Sequence, residues 1–133
     1  MKENPKAVGE RSESAVLNRF IHKGYSVSIP FGNNQRYDLI VDRDGKLWKV
    51  QVKTGCFRNG CVSFRPCSTN GFTGQHKDYV GQIDAFAVYC PETKVCYWVP
   101  IDVCGSSMVC LRVDPPPCGG KQRNIRWAKE FQF

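Results

Sequence analysis

This 133-residue chain lacks any apolar run approaching the ~20 residues that a membrane-spanning helix needs. Its opening stretch, MKENPKAVGERSE, is polar and holds no apolar segment of the kind a secretory signal requires. An intracellular, cytoplasmic setting is therefore expected. Histidine is scarce, with only His22 and His76. No CxxC pair occurs, and neither histidine stands at a finger spacing from the cysteines, which argues against a zinc finger or ribbon. Acidic side chains are also few: 12 against 19 Lys and Arg, for a net charge of +7. That excess favours a polyanionic partner, most simply nucleic acid. No repeat or low-complexity linker divides the chain. Residues 1–133 read as one domain, long enough for a single modest core.

Cysteine, by contrast, is abundant, with eight residues. The run Cys56, Cys61, Cys67 leaves a metal site open. Cys90 and Cys96 flank the PETKV turn, where a hairpin would set them opposite each other. Free and mostly buried thiols are the simpler expectation for a reducing interior.

Periodicity then sets out the elements. Residues 1–7 read as a loose arm. Val16, Leu17, Phe20 and Ile21 recur at helical spacing and predict a helix from Gly9 to Lys23, stopped by Gly24. YSVSI (25–29) alternates as a strand, and PFGNNQR (30–36) is a loop. YDLIVDR and KLWKVQVKT flank Asp44-Gly45, a favoured pair for a type I′ hairpin turn. Further strands are expected at 61–66, 84–90, 94–100 and 108–113, with a helical turn in IDVCGSS. Residues 67–82 are polar and Gly-rich and read as a long surface loop. DPPPCGGKQ (114–122) is irregular, and NIRWAKEFQF closes the chain as a short helix from Asn124. The fold class is α/β: an N-terminal helix packed on a mixed or antiparallel sheet, with a short C-terminal helix.

A two-residue turn at Asp44-Gly45 sets the register of its hairpin. Ile40 then faces Lys49, and Asp38 faces Gln51, with directly paired Cβ atoms ~5 Å apart. Lys53 shares that face, two residues further on. The other face carries Tyr37, Leu39, Val41, Trp48, Val50 and Val52, an unbroken apolar set that should meet a core. A solvated surface would explain the face with Asp38, Gln51 and Lys53 equally well.

Glu13 weighs against that simpler reading. On a helical projection it falls beside Leu17 and Phe20, in the stripe expected to meet the sheet, where a carboxylate needs a partner. Glu10 lies near the same stripe and reads equally as a charge favouring the helix N-terminus. Oxygens from Glu13, Asp38, Gln51 and the carbonyl of Val52 make a hard donor set suited to Mg2+ or Mn2+. A lysine beside them, Lys53, can orient a water and stabilise phosphate charge.

Asp38, twelve intervening residues, then Gln51-Val52-Lys53 resembles the PD-(D/E)XK nuclease core. The resemblance extends through GERSESAVLNRFIHKGYSVSIPFGNNQRYDLIVDRDGKLWKVQVKTG, YVGQIDAFAVYCPETKVCYWVP and the closing NIRWA. These segments are similar to the small PD-(D/E)XK endonucleases that include group I intron homing endonucleases. The front half also resembles archaeal Holliday-junction resolvases, with Glu13 in their helix position. The resemblance implies a restriction-endonuclease-like core and a Mg2+-dependent endodeoxyribonuclease in which Glu13, Asp38, Gln51 and Lys53 form the catalytic set. No Pro precedes Asp38, and Gln51 replaces the usual Asp or Glu. Glutamine keeps a neutral oxygen donor and removes one negative charge. The homing branch is itself known for Gln at this place.

DNA contacts are expected from Arg36, Lys49, Arg58, Arg65, His76, Lys77, Lys121, Arg123 and Arg126. His76 and Lys77, in a polar loop, make the best pair. Phe57, Phe72 and Tyr79 read first as core or interface residues and only second as base-stacking groups. One site per chain cuts one strand, so cutting both implies a homo-oligomer, a dimer or tetramer. The alternative reading is a non-catalytic nucleic-acid-binding module on the same scaffold.

Overall fold

The computed structural model describes residues 2–32, 34–69, 72–116 and 124–133. It opens with helix α1 (Pro5–His22). The helix starts four residues earlier than the periodicity predicts, because Asn4 and Pro5 form its N-terminus. The Asn4 side chain accepts the Lys6 amide N–H at 3.0 Å, and proline suits the first turn, where no intrahelical bond is lost. The expected loose arm is thus mostly helix. Gly24 ends it with a positive φ of 86°, which a residue with a side chain rarely adopts.

Ten strands follow among the described residues: β1 (Ser26–Ser28), β2 (Leu39–Arg43), β3 (Lys46–Thr54), β4 (Cys56–Arg58), β5 (Cys61–Phe64), β6 (Cys67–Thr69), β7 (His76–Asp78), β8 (Ala85–Cys90), β9 (Val95–Pro100) and β10 (Val109–Arg112). Strands β1, β2, β3, β8 and β9 form the main sheet in that order. The pairing of β3 with β8 is parallel and the others are antiparallel, so the sheet is mixed. The crossover from β3 to β8 contains no helix among the described residues. It carries β4 and β5, which pair with β10 in a second sheet, and the small β6–β7 hairpin. The stretch 67–82 was expected to be a surface loop, but Cys67–Thr69 pairs with His76–Asp78. Strands of three residues are too short to show the alternation that marks longer ones.

The predicted hairpin register holds. Ile40 pairs with Lys49, Val41 with Trp48 and Arg43 with Lys46. Asp44 and Gly45 both have positive φ, as a type I′ turn requires. Two cores lie on the two faces of the main sheet. On one, Val16 and Phe20 of α1 pack on Leu39, Val41, Val50, Val52 and Ala87. On the other, Phe86, Val88 and Val99 meet Val62, Phe64, Val109 and Leu111 of the second sheet. Strand β8 is covered on both faces, which is why AFAVYC reads as a continuous apolar run. Gly55 lets the second sheet fold directly onto the end of β3: a Cβ there would lie 2.6 Å from Val62 Cγ1.

Three expectations are revised. Tyr37 packs against the second core rather than with Leu39 and Val41, because β2 begins only at Leu39 and the chain bends before it. The expected C-terminal helix shortens to a 3-10 turn at Ala128–Glu130, with Trp127 and Gln132 bridging to Arg112 and Tyr97. These bridges satisfy backbone groups that a helix would have satisfied internally. Cys90 pairs with Val95 and Cys96 with Tyr89, so the two thiols point to opposite cores instead of facing each other. All seven cysteines among the described residues are free.

Candidate active site

The site is built where strand pairing stops. Asp38 precedes β2, yet its backbone N–H still donates to the Val50 carbonyl at 2.8 Å. The chain then leaves the sheet, and the next inward-facing donor on β3, the N–H of Val52, loses its strand partner. The Asp38 carboxylate accepts that N–H at 2.9 Å. Within a strand, a residue's carbonyl leaves on the same side as its N–H, so the Val52 carbonyl opens onto the same edge. The Gln51 amide lies against it, with Nε2 donating to that carbonyl at 3.4 Å.

Glu13 reaches this edge from the helix. The buried stripe of α1 is Ser12, Val16 and Phe20, so Glu13 is displaced by one position from the place the projection gave it. Ser12 fills the interior and shares a hydrogen bond with Thr54. Glu13 stands exposed at the rim, beside the Asp38 carboxylate. Partial burial and the neighbouring Asp38 charge raise the pKa of Glu13 above its ordinary value. Burial also raises Asp38, against the opposing pull of the Val52 N–H and the Lys53 charge.

Lys53 approaches from the other face of the sheet. Its neighbour across the parallel pair is Val88, whose side chain belongs to the second core, whereas Val52 faces α1. The site is therefore not beneath the helix. It straddles the sheet edge, with Glu13 reaching in from one side and Lys53 from the other. The Lys53 ammonium donates to the Cys67 carbonyl at 2.9 Å and lies 5.1 Å from the Tyr79 ring centroid. Burial pushes its pKa down, with Asp38 acting in the opposite direction.

This donor set fits a hard divalent cation. It offers two neighbouring acids, an amide and a backbone carbonyl at one edge, all oxygen donors. Among the described residues no cluster of three His, Cys, Asp or Glu is placed to hold a metal.

Comparison with known proteins gives this geometry its context. The PD-(D/E)XK endonuclease family model matches residues 3–133. The chain belongs to the PD-(D/E)XK endonuclease family. The bacterial homing endonuclease I-Ssp6803I superposes with a TM-score of 0.75 at 27% identity, over 98% of this chain and 89% of that one. Protein 5.3 of Escherichia phage T7 is 46% identical over 46 residues, which is 35% of this chain and 39% of the phage protein. The match thus spans about two-fifths of that relative's length. The helix on a mixed sheet is the restriction-endonuclease-like arrangement that the homing endonuclease shares.

The basic residues of this PD-(D/E)XK chain are differently placed. Arg58, Arg65, Lys77 and Arg126 are exposed, and Lys49 is half-buried. His76 and Lys77 stand on β7 rather than in a loop, with His76 Nδ1 3.2 Å from Thr69 Oγ1. Arg36 is turned inward onto Ser68, Gln82 and the β7 backbone. Lys121 and Arg123 lie outside the described residues. Phe57 and Tyr79 pack in or against the second core, and Phe72 is exposed. Ser68 and Gln82 were not singled out from the sequence, because only folding brings them to Arg36, and Tyr79, expected in the core or an interface, also stacks on that guanidinium. Asp84 was missed as well: its carboxylate accepts the Lys49 N–H at 2.8 Å and steadies the strand that carries Gln51 and Lys53. A groove of about 490 Å3 beside the helix, lined in part by Arg11, Arg19, His22 and Lys94, includes none of the four site residues.

Proposed function

We propose that the protein is a metal-dependent DNA endonuclease, of homing-endonuclease or junction-resolvase type, that hydrolyses phosphodiester bonds using Glu13, Asp38, Gln51 and Lys53. The observation that carries this reading is the meeting of Glu13, Asp38 and Lys53 at the unpaired edge of β3, on the scaffold of an endonuclease family. The net charge of +7 suits a polyanionic substrate.

Glu13, Asp38, the Gln51 amide and the Val52 carbonyl would hold Mg2+, with Mn2+ as a substitute. When bound, such an ion supplies Lewis-acid polarisation of the phosphate and lowers the pKa of water. Asp38 is oriented by the Val52 N–H, so its carboxylate is in place before any ligand arrives. Lys53, already partly desolvated, holds a positive charge at the phosphate and orients the attacking water. Hydrolysis adds that water across one P–O ester bond. Exposed basic residues, among them Arg58, Arg65, His76 and Lys77, would contact the DNA backbone. A dimer or tetramer in the cytoplasm would supply a second site for the second strand.

The test is cleavage of duplex and branched DNA by the purified protein with Mg2+ or Mn2+. Cleavage should stop with EDTA and with Lys53→Ala, while DNA binding by that variant persists. Cleavage that survives both would remove the assignment. Salt-sensitive binding without cleavage under any divalent ion would instead favour a non-catalytic DNA-binding module.

A further inference from the structure

Arg36 lies two residues before Asp38, and its guanidinium is consumed within the fold. Nε donates to Gln82 Oε1 at 2.7 Å and Nη1 to Ser68 Oγ at 2.8 Å. Nη2 donates to the carbonyls of Lys77 and Asp78, at 3.2 and 2.6 Å. The plane also covers the Tyr79 ring, with Cζ 3.9 Å from its centroid. A guanidinium has five N–H groups in a rigid fork, and four are used here. Every partner belongs to β6, β7 or the segment just after them. The Lys53 ammonium holds the same hairpin through the Cys67 carbonyl at the start of β6. Two cations thus fasten one hairpin, and one of them is the lysine of the site.

A hairpin of two three-residue strands has little core of its own, and β7 is exposed along its whole length. Phe64 and Tyr79 anchor its two ends in the second core, and the polar attachments of Arg36 and Lys53 fix the strands between them. Without Arg36 the strands are held less firmly, and the ammonium bound to the Cys67 carbonyl would follow their movement.

We propose that Arg36 is a positioning residue: it locks the β6–β7 hairpin against the site so that Lys53 keeps its orientation while His76 and Lys77 are presented outward. The proposal rests on the nuclease reading above for its kinetic consequences, but not for its structural ones. Arg36 is accordingly not a phosphate contact.

The test compares the wild-type chain with Arg36→Gln, Arg36→Lys and the double variant Ser68→Ala/Gln82→Ala. The double variant keeps Arg36 and its stack on Tyr79 while removing two acceptors, so it guards against a misfolded Arg36 variant. Amide hydrogen exchange at 67–69 and 76–78 is read without any substrate. Cleavage with Mn2+ and the salt dependence of duplex binding with Ca2+ are read alongside. Faster exchange in the hairpin is expected in all three variants. A kcat lower by about tenfold or more is expected, with KM changed less than about threefold and an unchanged salt slope. Arg36→Lys should not rescue, because an ammonium lacks the fork. Unchanged exchange would overturn the proposal whether or not the wild type cleaves DNA. So would a salt slope lower by about one with kcat intact and rescue by lysine, the signature of a phosphate contact. Absence of cleavage in the wild type would count against the nuclease reading alone, since exchange still reports on the hairpin.

Discussion

The Asp38 carboxylate accepts the Val52 N–H at 2.9 Å, taking the place of a strand that has just ended. One hydrogen bond therefore does two things: it caps an open sheet edge and fixes a carboxylate at the centre of the site. The two roles can be separated by substitution.

Asp38→Ala leaves the Val52 N–H without its acceptor at a partly buried position. A loss of about 1–3 kcal/mol is expected in urea unfolding. Asp38→Asn retains an acceptor oxygen and should cost less than half of that, while still abolishing cleavage. Equal destabilisation by the two variants would show that the hydrogen bond is not what Asp38 contributes to the fold.

Glu13 is expected to make stability depend on pH in an unusual direction. Its pKa is raised in the folded state, so the fold favours the protonated acid. The stabilisation is fully present below the ordinary value of 4.5 and is lost as pH rises through the folded value. Glu13→Gln should therefore match the wild type in acid and exceed it at neutral pH. Divalent-ion affinity of the wild type should climb with pH through the same window, because an ion competes with protons for the carboxylates. Thermal unfolding from pH 3.5 to about 8, with and without Mn2+, reads both effects. A wild type that gains stability over Glu13→Gln as pH rises would contradict the assignment.

Gln51→Glu restores a carboxylate beside Glu13 and Asp38. Divalent-ion affinity by calorimetry should rise about tenfold, since hard cations respond to ligand charge. In the absence of the ion, the same change should destabilise the fold at neutral pH by adding a like charge to the pair. Affinity that does not change would mean that position 51 supplies no donor.

Gly55→Ala tests the junction between the sheets. The added methyl would lie 2.6 Å from Val62 Cγ1 and 3.0 Å from Val88 Cγ1, both fully buried. Overpacking of this kind costs about 1–3 kcal/mol. Adding Val62→Ala should recover part of the loss, giving a non-additive pair in denaturant unfolding. Additive losses would place the strain in the backbone instead.

Much of the site was legible before folding because it depends on short-range rules. Asp44-Gly45 selects a two-residue turn, the turn sets the register, and alternation then puts Asp38, Gln51 and Lys53 in reach of one another. Glu13 was found by periodicity, but with an error of one position: Ser12 holds the buried stripe and Glu13 the rim. A helical projection gives the apolar face to within a residue and does not show where the sheet beneath it ends. The β6–β7 hairpin was missed, because its strands are short and polar and are held by Arg36 and Lys53 rather than by an apolar face.

The amino-acid order by itself determined the first helix, the β2–β3 hairpin with its register, and the pair Gln51 and Lys53 on a shared face. Those features follow from backbone stereochemistry and from periods of 3.6 and 2, which act between near neighbours. Only the tertiary structure decided that Glu13 meets Asp38 at the sheet edge, that Lys53 enters from the opposite face, and that Arg36 turns inward to hold a hairpin some 40 residues away in the chain. Contacts between such distant residues depend on where the strands stop and how two cores sandwich one sheet, and no local pattern encodes that.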